Sequence, residues 1–223
     1  KIVLDIQDLW PEAVNNSGML SNKVLASTLK RWCISEYSAV NHLTTLSPGF
    51  RQLLIDRGIP DKHIDVIYNW CDEQAFKIYP RDEDLAFRED MSNSFNVVFA
   101  GIMGGIRDID NILQAAFLLK TECNIKFYLF GGGTEVNRLI DKSKDMNLDN
   151  VIFKGHRPQV EMGPLLALAD VVLIHLASTP HINMWIPSKT QAYMSAGRPI
   201  ICNVPGDTSD LINASGSGIC ISP

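Results

Sequence analysis

The sequence has few cysteines, no long apolar run and no excess of basic charge. Its five cysteines are odd in number, widely spaced and without a C-x-x-C pair, which excludes a disulfide scaffold and predicts reduced thiols. No apolar run approaches the roughly 20 residues of a membrane-spanning helix, and no charged-then-apolar leader is visible. A net charge of −5 disfavours nucleic acid as a partner, because its binding needs clustered Lys and Arg.

Metal ligands are equally scarce. The five histidines form no i, i+4 pair, and His175 and His181, which flank a predicted strand end, have no cysteine nearby to complete a ligand set. Packing or surface roles suit them better. The sequence therefore predicts no metal site.

What is present is an ordinary globular composition in a chain of 223 residues, 46% hydrophobic and 20% charged. This length suits one large α/β domain or two small ones. The chain opens inside an apolar run at Lys1 without an initiator Met and stops on a predicted strand near Gly218. We expect a partial chain.

Apolar periodicity predicts strands that alternate with helices, as in a parallel sheet. Leu25, Leu29, Trp32, Cys33 and Val40 are predicted to form one buried stripe of a helix over 23–40. A second helix should begin at Ser47-Pro48 and end at Gly58. The remaining predicted strands span 2–6, 42–46, 65–68, 97–100, 125–130, 151–153, 171–176 and 199–202, and the remaining helices 109–120, 134–146, 159–168 and 188–196.

The alternation of predicted strands and helices is interrupted between residues 70 and 94. In this segment Pro80, a charged stretch and Ser92-Asn-Ser indicate a domain boundary. We predict a first domain over 1–75, a linker over 76–94 and a second domain over 95–223. Four successive strand-helix units in the second domain indicate a doubly wound Rossmann-like sheet. Such sheets bind ligands beyond the carboxyl ends of their strands.

The first candidate loop contains Gly101, Gly104, Gly105 and Arg107 between a strand and a helix. Its glycines would let the backbone approach a ligand, and Arg107 would bind phosphate oxygens. Alternatively, the glycines only form the turn, and Arg107 is solvated or pairs with Asp108 or Asp110.

The second candidate loop, Gly131-Gly-Gly133, also joins a strand to a helix. Val136 stands where the dinucleotide fingerprint needs a small residue, and no acidic residue follows at the required distance. This argues strongly against a nicotinamide dinucleotide. The absence of G-x-x-x-x-G-K-[ST] likewise argues against a P-loop NTPase.

Two further loops supply cations. Pro187 would begin a helix whose first amides, at Ser188, Lys189 and Thr190, suit an anion, with Lys189 adding a full charge. The loop with His156 and Arg157 follows another predicted strand. A helix start with a solvated lysine is the alternative for Lys189, but four loops at one sheet edge would converge as a diphosphate requires.

These segments resemble the retaining, nucleotide-sugar-dependent glycosyltransferases of family 4. The resemblance rests on Val66-Ile-Tyr-Asn69, Phe99-Ala-Gly101, Leu129-Phe-Gly-Gly-Gly133 and the stretch from Pro187 to Pro199. Asp8-Leu-Trp-Pro-Glu12 is similar to the subgroup that builds bacterial O-antigen and capsule, including transferases of N-acetyl-fucosamine-type sugars. The fold implied is GT-B, an α/β architecture of two Rossmann-like doubly wound domains, with the first, acceptor-side domain incomplete and the second lacking its last helices.

The resemblance also implies roles for particular residues. The donor's diphosphate would be bound by Arg107, Ser188, Lys189 and Thr190, and an arginine that often follows the opening glycine is replaced by Ile102. The family's paired glutamates fall on Met184 and Ala192, so ribose contact and sugar selection are in doubt. A catalytic histidine of the first domain corresponds to Gln7 or Asp8, of which Asp8 can accept a proton.

The implied activity is transfer of a sugar from a nucleotide-diphosphate sugar, expected to be a UDP-sugar, with retention and without a metal or other cofactor. The resemblance implies a lipid-linked acceptor in surface polysaccharide synthesis and a cytoplasmic location. Peripheral contact with the inner face of the membrane through Lys23, Lys30, Arg31 and Trp32 is an alternative to a plain core helix. A non-catalytic sugar-nucleotide-binding scaffold and a sugar-nucleotide epimerase of the same architecture are the competing functions.

Overall fold

The structure is a computed structural model that describes residues 1–10, 23–122, 124–179 and 181–221, and only the backbone of Lys23 and Ile106. It divides into two compact units. The first comprises Lys1–Asn69, Ser178–Ile186 and Pro205–Asp210, and the second Trp70–Ala177, Pro187–Val204 and Leu211–Pro223. The predicted boundaries at 75, 76–94 and 95 stay a prediction about the whole protein.

The first unit is built on a parallel sheet of three strands in the order β1-β2-β3. Leu4 pairs with Leu43, and Leu43 pairs with Ile64. The elements are β1 (Val3–Ile6), α1 (Lys23–Ala39), β2 (His42–Thr45), α2 (Pro48–Asp56) and β3 (Ile64–Val66).

Local sequence signals fix the ends of α2 as predicted. Ser47 is the N-cap, and its hydroxyl accepts a hydrogen bond from the Phe50 amide at 3.1 Å. Pro48 occupies the first turn, where its missing N–H costs nothing. The Ser47 hydroxyl also donates to the Met184 carbonyl at 2.6 Å, so it connects this helix to residues 178–186 of the same unit.

The buried stripe predicted for α1 needs correction. Leu29, Cys33 and Tyr37 pack against the core, whereas Leu25 and Trp32 are 54% and 58% exposed. Residues four apart lie on one face of a helix, and Trp32 is rotated by about 100° from Cys33. Trp32 therefore lies outside the stripe that its hydrophobicity suggested.

The second unit is a six-stranded parallel sheet in the order β6-β5-β4-β7-β8-β9. Chain order reverses beside β4, because β5 lies on one side of it and β7 on the other. The strands are β4 (Phe95–Ala100), β5 (Ile125–Phe130), β6 (Val151–Gly155), β7 (Val171–Ile174), β8 (Ile200–Cys202) and β9 (Gly218–Cys220), and the helices are α3 (Glu83–Arg88), α4 (Ile109–Leu118), α5 (Val136–Asp145), α6 (Gln159–Leu166) and α7 (Lys189–Ser195), followed by α8 (Asp207–Ser215).

The central strands are apolar because both faces of the sheet are covered. Val98, Phe99, Leu129 and Val172 are fully buried, and Leu113 of α4 packs into the same core. Continuous apolar strands of this kind are typical of parallel sheets with helices on both faces. The predicted Rossmann-like doubly wound sheet is confirmed for this unit.

Glycines at the end of β5 are required by the backbone of a neighbouring loop. A Cβ on Gly131 would lie 1.9 Å from the Gly101 carbonyl oxygen, and a Cβ on Gly133 would lie 2.2 Å from the Met103 carbonyl oxygen. Both residues have positive φ, at 134° and 146°. A Cβ on Gly132, between them, would have no described atom within 4 Å, so the turn needs only its outer glycines.

We predict that Gly131→Ala lowers the free energy of unfolding by about 2–4 kcal/mol, since the new methyl group overlaps a carbonyl and strains the backbone. Gly132→Ala is the matched control, with an expected change within about 0.5 kcal/mol. Denaturant unfolding monitored by circular dichroism measures both. Equal stabilities of the two variants would contradict this account of the turn.

Candidate functional site

A cavity of about 540 Å³ opens at the carboxyl end of the second unit's sheet. It lies beside the point where strand order reverses, where open α/β sheets bind ligands. Its walls come from the loops after β4, β5 and β6 and from the start of α7. Of the nine candidate binding residues in this unit, five line the cavity together with the loop glycines Gly101 and Gly131: Arg107, His156, Arg157, Ser188 and Lys189.

The other four candidates in this unit support the walls instead of lining them. Gly104 and Gly105 precede or begin a single 3-10 turn that ends at Arg107. Gly133 packs against the backbone of Met103. Thr190 is fully buried, and its amide donates to the Pro187 carbonyl at 2.9 Å, so this amide is already used inside the turn.

The two candidate catalytic residues, Gln7 and Asp8, belong to the first unit. Both are exposed and follow directly after β1. The Gln7 side-chain amide donates to the Asp5 carboxylate, whose other oxygen accepts from the Thr44 hydroxyl at 2.6 Å. Their predicted catalytic roles stay predictions.

Lys189 carries the strongest electrostatic signal of the cavity. Its Nζ lies 3.8 Å from the centroid of the fully buried Phe99 ring, and within the described residues this buried atom has no hydrogen-bond partner. Burial, together with the nearby charge of Arg107, lowers the pKa of Lys189 from 10.5 to about 7. A buried ammonium held only by a ring face is costly, and an anion would relieve that cost.

Arg107 reaches the same cavity from an unusual turn. The next residue, Asp108, has the left-handed φ of 45° at the start of α4, with no side-chain cap. Such conformations are uncommon outside glycine and cluster at functional sites. Burial lowers the pKa of the Arg107 guanidinium, although an arginine stays charged at any physiological pH.

Of the two carboxylates that could have paired with Arg107, Asp110 is engaged elsewhere and Asp108 lies on the side of His175, 3.9 Å from its Nε2. Asp110 accepts from Arg138 at 2.9 and 2.6 Å and from Lys142, and these cations hold its pKa well below its usual range. In the described part of the chain Arg107 has no ion pair. Two cations therefore face one cavity without a compensating carboxylate, which suits a ligand with two negative charges.

His175 follows β7, and its side chain is 11% exposed. Its Nε2 lies 3.9 Å from an Asp108 carboxylate oxygen, too far for a hydrogen bond. Burial lowers the pKa of His175, while Asp108 opposes that shift. His175 is thus a neutral neighbour of the turn that carries Arg107.

Tyr193 anchors α7 to the end of β4, and sequence reasoning missed this role. Its hydroxyl accepts from the Ala100 amide at 3.0 Å and donates to the Ala100 carbonyl at 3.2 Å. The side chain is almost fully buried, and burial raises its pKa. This two-way bond fixes Lys189, four residues earlier, relative to the loop that follows β4.

The two positions at which the family resemblance implies glutamates, Met184 and Ala192, lie in different surroundings. Ala192 lines the cavity, while Met184 is packed in the core of the first unit with Phe50. A carboxylate at position 192 would stand in the cavity wall near the cations, so its absence leaves Lys189 and Arg107 with their positive charge.

Residues 70–76, which the sequence predicts to lie at the domain boundary, add an aromatic edge to the cavity. Trp70 and Phe76 line it, and the Trp70 side chain is highly exposed. Asp72 also lines it, but its carboxylate accepts from the amides of Gln74 and Ala75 at 3.0 and 3.1 Å. Its role is therefore to hold the turn.

Metal-ligand clusters and membrane-spanning helices are both missing from the described residues. No group of three or more His, Cys, Asp or Glu side chains in that part of the chain lies close enough to hold a metal ion. Within the same residues, no helix is both long and apolar enough to cross a bilayer.

The fold and the site define a doubly wound α/β protein with a cavity lined by cationic side chains at the carboxyl edge of its sheet. The family model described as glycosyl transferases group 1 matches residues 94–223, which is more than half of the chain. The chain belongs to this family, and its fold is that of the GT-B glycosyltransferases.

Three relatives illustrate the likeness. The probable glycosyltransferase WbjE of Pseudomonas aeruginosa is 26% identical, over 98% of this chain and 55% of its own. The alpha-galactosylglucosyldiacylglycerol synthase of Streptococcus pneumoniae is 28% identical, over 79% of this chain and 47% of its own. The crystal structure of Anabaena Alr3699/HepE with UDP and glucose has a TM-score of 0.76 at 20% identity, over 99% of this chain and 57% of its own. The chain thus spans about half the length of the curated relatives it matches.

We predict that Lys189→Met stabilises the ligand-free protein in a pH-dependent way. The pKa of Lys189 is about 7 in the folded protein and 10.5 in the unfolded chain. Between pH 7 and pH 10.5 the unfolded chain therefore binds more protons, and the stability of the wild type rises with pH over this range. The gain from Met should be on the order of 1–4 kcal/mol below pH 7 and shrink as the pH approaches 10.5.

Calorimetric unfolding at pH 6 and pH 10 measures this difference. Lys144→Met is the matched control, because Lys144 is 73% exposed and should give the same small change at both values. A Lys189→Met variant that is less stable than the wild type at pH 6 would refute the assigned charge state.

Proposed function

We propose that the protein is a glycosyltransferase that takes a sugar from a nucleotide-diphosphate donor, with UDP as the nucleotide. The observation that carries the proposal is the pair of cations without described carboxylate partners, the buried ammonium of Lys189 and the partly buried Arg107, at the edge of the sheet where open α/β sheets bind ligands. The UDP bound in the similar Anabaena structure supports the choice of nucleotide.

The proposed mechanism depends on stabilising the negative charge that develops on the leaving group. When the bond between sugar and diphosphate breaks, negative charge grows on the departing phosphate oxygen. Lys189 and Arg107 are already fixed beside the cavity, so they stabilise this charge without reorganising. Transfer would proceed with retention, as in family 4, and without a metal or other cofactor. Asp8 or Gln7 would orient the acceptor or sugar hydroxyl.

The acceptor is proposed to be a lipid-linked saccharide in bacterial surface polysaccharide synthesis, of the O-antigen or capsule type. One relative is named for the synthesis of a diacylglycerol glycolipid, which supports a lipid acceptor. The donor sugar would be a hexose or an N-acetylhexosamine, including the N-acetyl-fucosamine type. A cytoplasmic enzyme could contact the inner membrane face through the exposed Trp32 with Lys30 and Arg31.

A second candidate is a sugar-nucleotide-binding protein without catalysis. It is favoured by one observation, the replacement of a carboxylate by Ala192 in the cavity wall. Loss of a ribose or sugar contact would weaken turnover more than diphosphate binding, which rests on the two cations.

We predict that the full-length protein binds UDP and slowly releases UDP from a UDP-sugar. Lys189→Met and Arg107→Gln should each weaken UDP binding at least tenfold, because each removes a charge-assisted contact of about 1.5–3 kcal/mol. Calorimetry and a UDP-release assay measure both properties. Lys144→Met, with its exposed side chain, serves as the control and should bind as the wild type does. Unaltered affinity in both cavity variants would overturn the proposed site, while binding without release would favour the non-catalytic candidate.

We also predict that UDP binding takes up a proton. In the free protein at pH 8 most Lys189 side chains are neutral, because their pKa is about 7. A bound diphosphate, whose own second pKa lies near 6, should raise the pKa of Lys189. Proton uptake on UDP binding should therefore approach one proton, and the affinity for UDP should fall as the pH rises above about 7.

Titration calorimetry at pH 8 in HEPES and in Tris measures the uptake as a buffer-dependent heat. Lys189→Met should lose that dependence. A wild-type heat that is the same in both buffers would contradict the proton linkage.

A further inference from the structure

Glu89 is a buried acid that sits between two cations of the second unit. Both of its carboxylate oxygens accept from Arg157 Nη2 at 3.1 Å, and Lys154 Nζ lies 3.3 Å from one of them. The side chains of Glu89 and Lys154 are 13% and 14% exposed. At this degree of burial the geometry of an ion pair is defined much better than at an open surface.

The backbone around Glu89 is fixed by the end of α3. Glu89 is the C-cap, and the next residue, Asp90, takes the left-handed φ of 56°. The Met91 amide donates to the Ala86 carbonyl at 2.7 Å and the Asp90 amide to the Phe87 carbonyl at 3.1 Å, the two bonds of a Schellman motif. Met91 and Ala86 are fully buried, so the helix end cannot shift without opening the core.

Lys154 ties the same carboxylate to β6. Its Nζ also donates to the Glu89 carbonyl and lies 5.7 Å from the centroid of the Tyr128 ring. The Tyr128 hydroxyl in turn bonds to the Asp90 carbonyl. Lys154 and Arg157 therefore contact the same carboxylate oxygen of Glu89, its Oε2.

Arg157 lines the cavity, and Glu89 occupies only part of its guanidinium. Within the described residues its buried Nε has no hydrogen-bond acceptor. The Nη2 of Arg157 pairs with Glu89, whereas its Nη1 has no hydrogen bond to the described residues, so Nη1 is the donor left for a ligand. The ion pair restricts the conformations of this long side chain and so holds that donor at the cavity wall.

We propose that Glu89 is a positioning residue for nucleotide binding, acting through Arg157, which it holds at the cavity wall. This inference rests on the proposed function, because the ligand is the donor nucleotide. Glu89 lies in the segment that the sequence predicts as a linker, so the segment supplies part of the support for the site.

Removing the Glu89 carboxylate has two opposing effects on the affinity for UDP, and the measured affinity reports their sum. Loss of a negative charge near the cavity would by itself strengthen the binding of an anion. Loss of the clamp frees a long side chain whose ordering on binding then costs conformational entropy, and it leaves Arg157 and Lys154 to repel each other. The proposal requires the second effect to be larger.

The experiment is a double-mutant cycle in the full-length protein, with UDP as the probe and titration calorimetry as the readout. Glu89→Gln is expected to weaken UDP binding about fivefold and Arg157→Gln about tenfold. The double variant should bind like Arg157→Gln alone, because without the arginine the clamp has nothing to hold. Glu89→Asp keeps the charge with a shorter reach and should fall between Glu89→Gln and the wild type.

Lys126→Met is the control for a purely structural effect, since it breaks the neighbouring ion pair between Lys126 and Asp90, at 3.2 Å, and leaves the Glu89–Arg157 pair in place; UDP affinity should change less than about twofold. Tighter or unchanged binding in Glu89→Gln, or an equal loss in the Arg157→Gln background, overturns the proposal. If Glu89→Gln does not fold, the UDP affinity of Glu89→Asp is compared instead, once with Arg157 present and once in the Arg157→Gln variant. Failure of the wild type to bind UDP would instead reject the proposed function.

Discussion

The site depends on a positive charge that the folded protein does not neutralise. Lys189 is buried against the Phe99 ring with Arg107 nearby, and neither has a carboxylate partner in the part of the chain that the structure describes. Three features of the surrounding fold contribute to this arrangement. Tyr193 fixes the helix of Lys189 to β4, the strained turn at Asp108 presents Arg107, and the carboxylate of Asp110 is engaged by Arg138 and Lys142.

An uncompensated buried cation destabilises the empty protein and favours an anionic ligand. For a transferase this arrangement is useful if the attraction grows as the reaction proceeds, because only interactions that strengthen in the transition state accelerate the chemical step. In the proposed transfer the departing diphosphate would gain charge, and the two cations would stabilise that charge. The low pKa of Lys189, about 7, adds a second property to the proposal, since a bound anion would raise that pKa and bring the lysine to full charge.

The sequence predicted the fold of the second unit well because continuous apolar strands and helix signals are local. Gly197, for example, ends α7 with a positive φ, as expected of a helix-terminating glycine. The convergence of Arg107, Arg157 and Lys189 could also be predicted, because parallel strands bring the loops after them to one edge. Which glycines and amides face the ligand could not be predicted: Gly133 and Thr190 are used by neighbouring backbone. Glu89 and Tyr193 act through contacts distant in sequence, and no local pattern marks them.

The most direct test of the central claim is a crystal structure of the full-length protein with UDP. The account predicts diphosphate oxygens within hydrogen-bond distance of Lys189 Nζ and of the Arg107 guanidinium, in the cavity beside β4. A diphosphate bound elsewhere, with Lys189 still resting on the Phe99 ring without a polar partner, would contradict it.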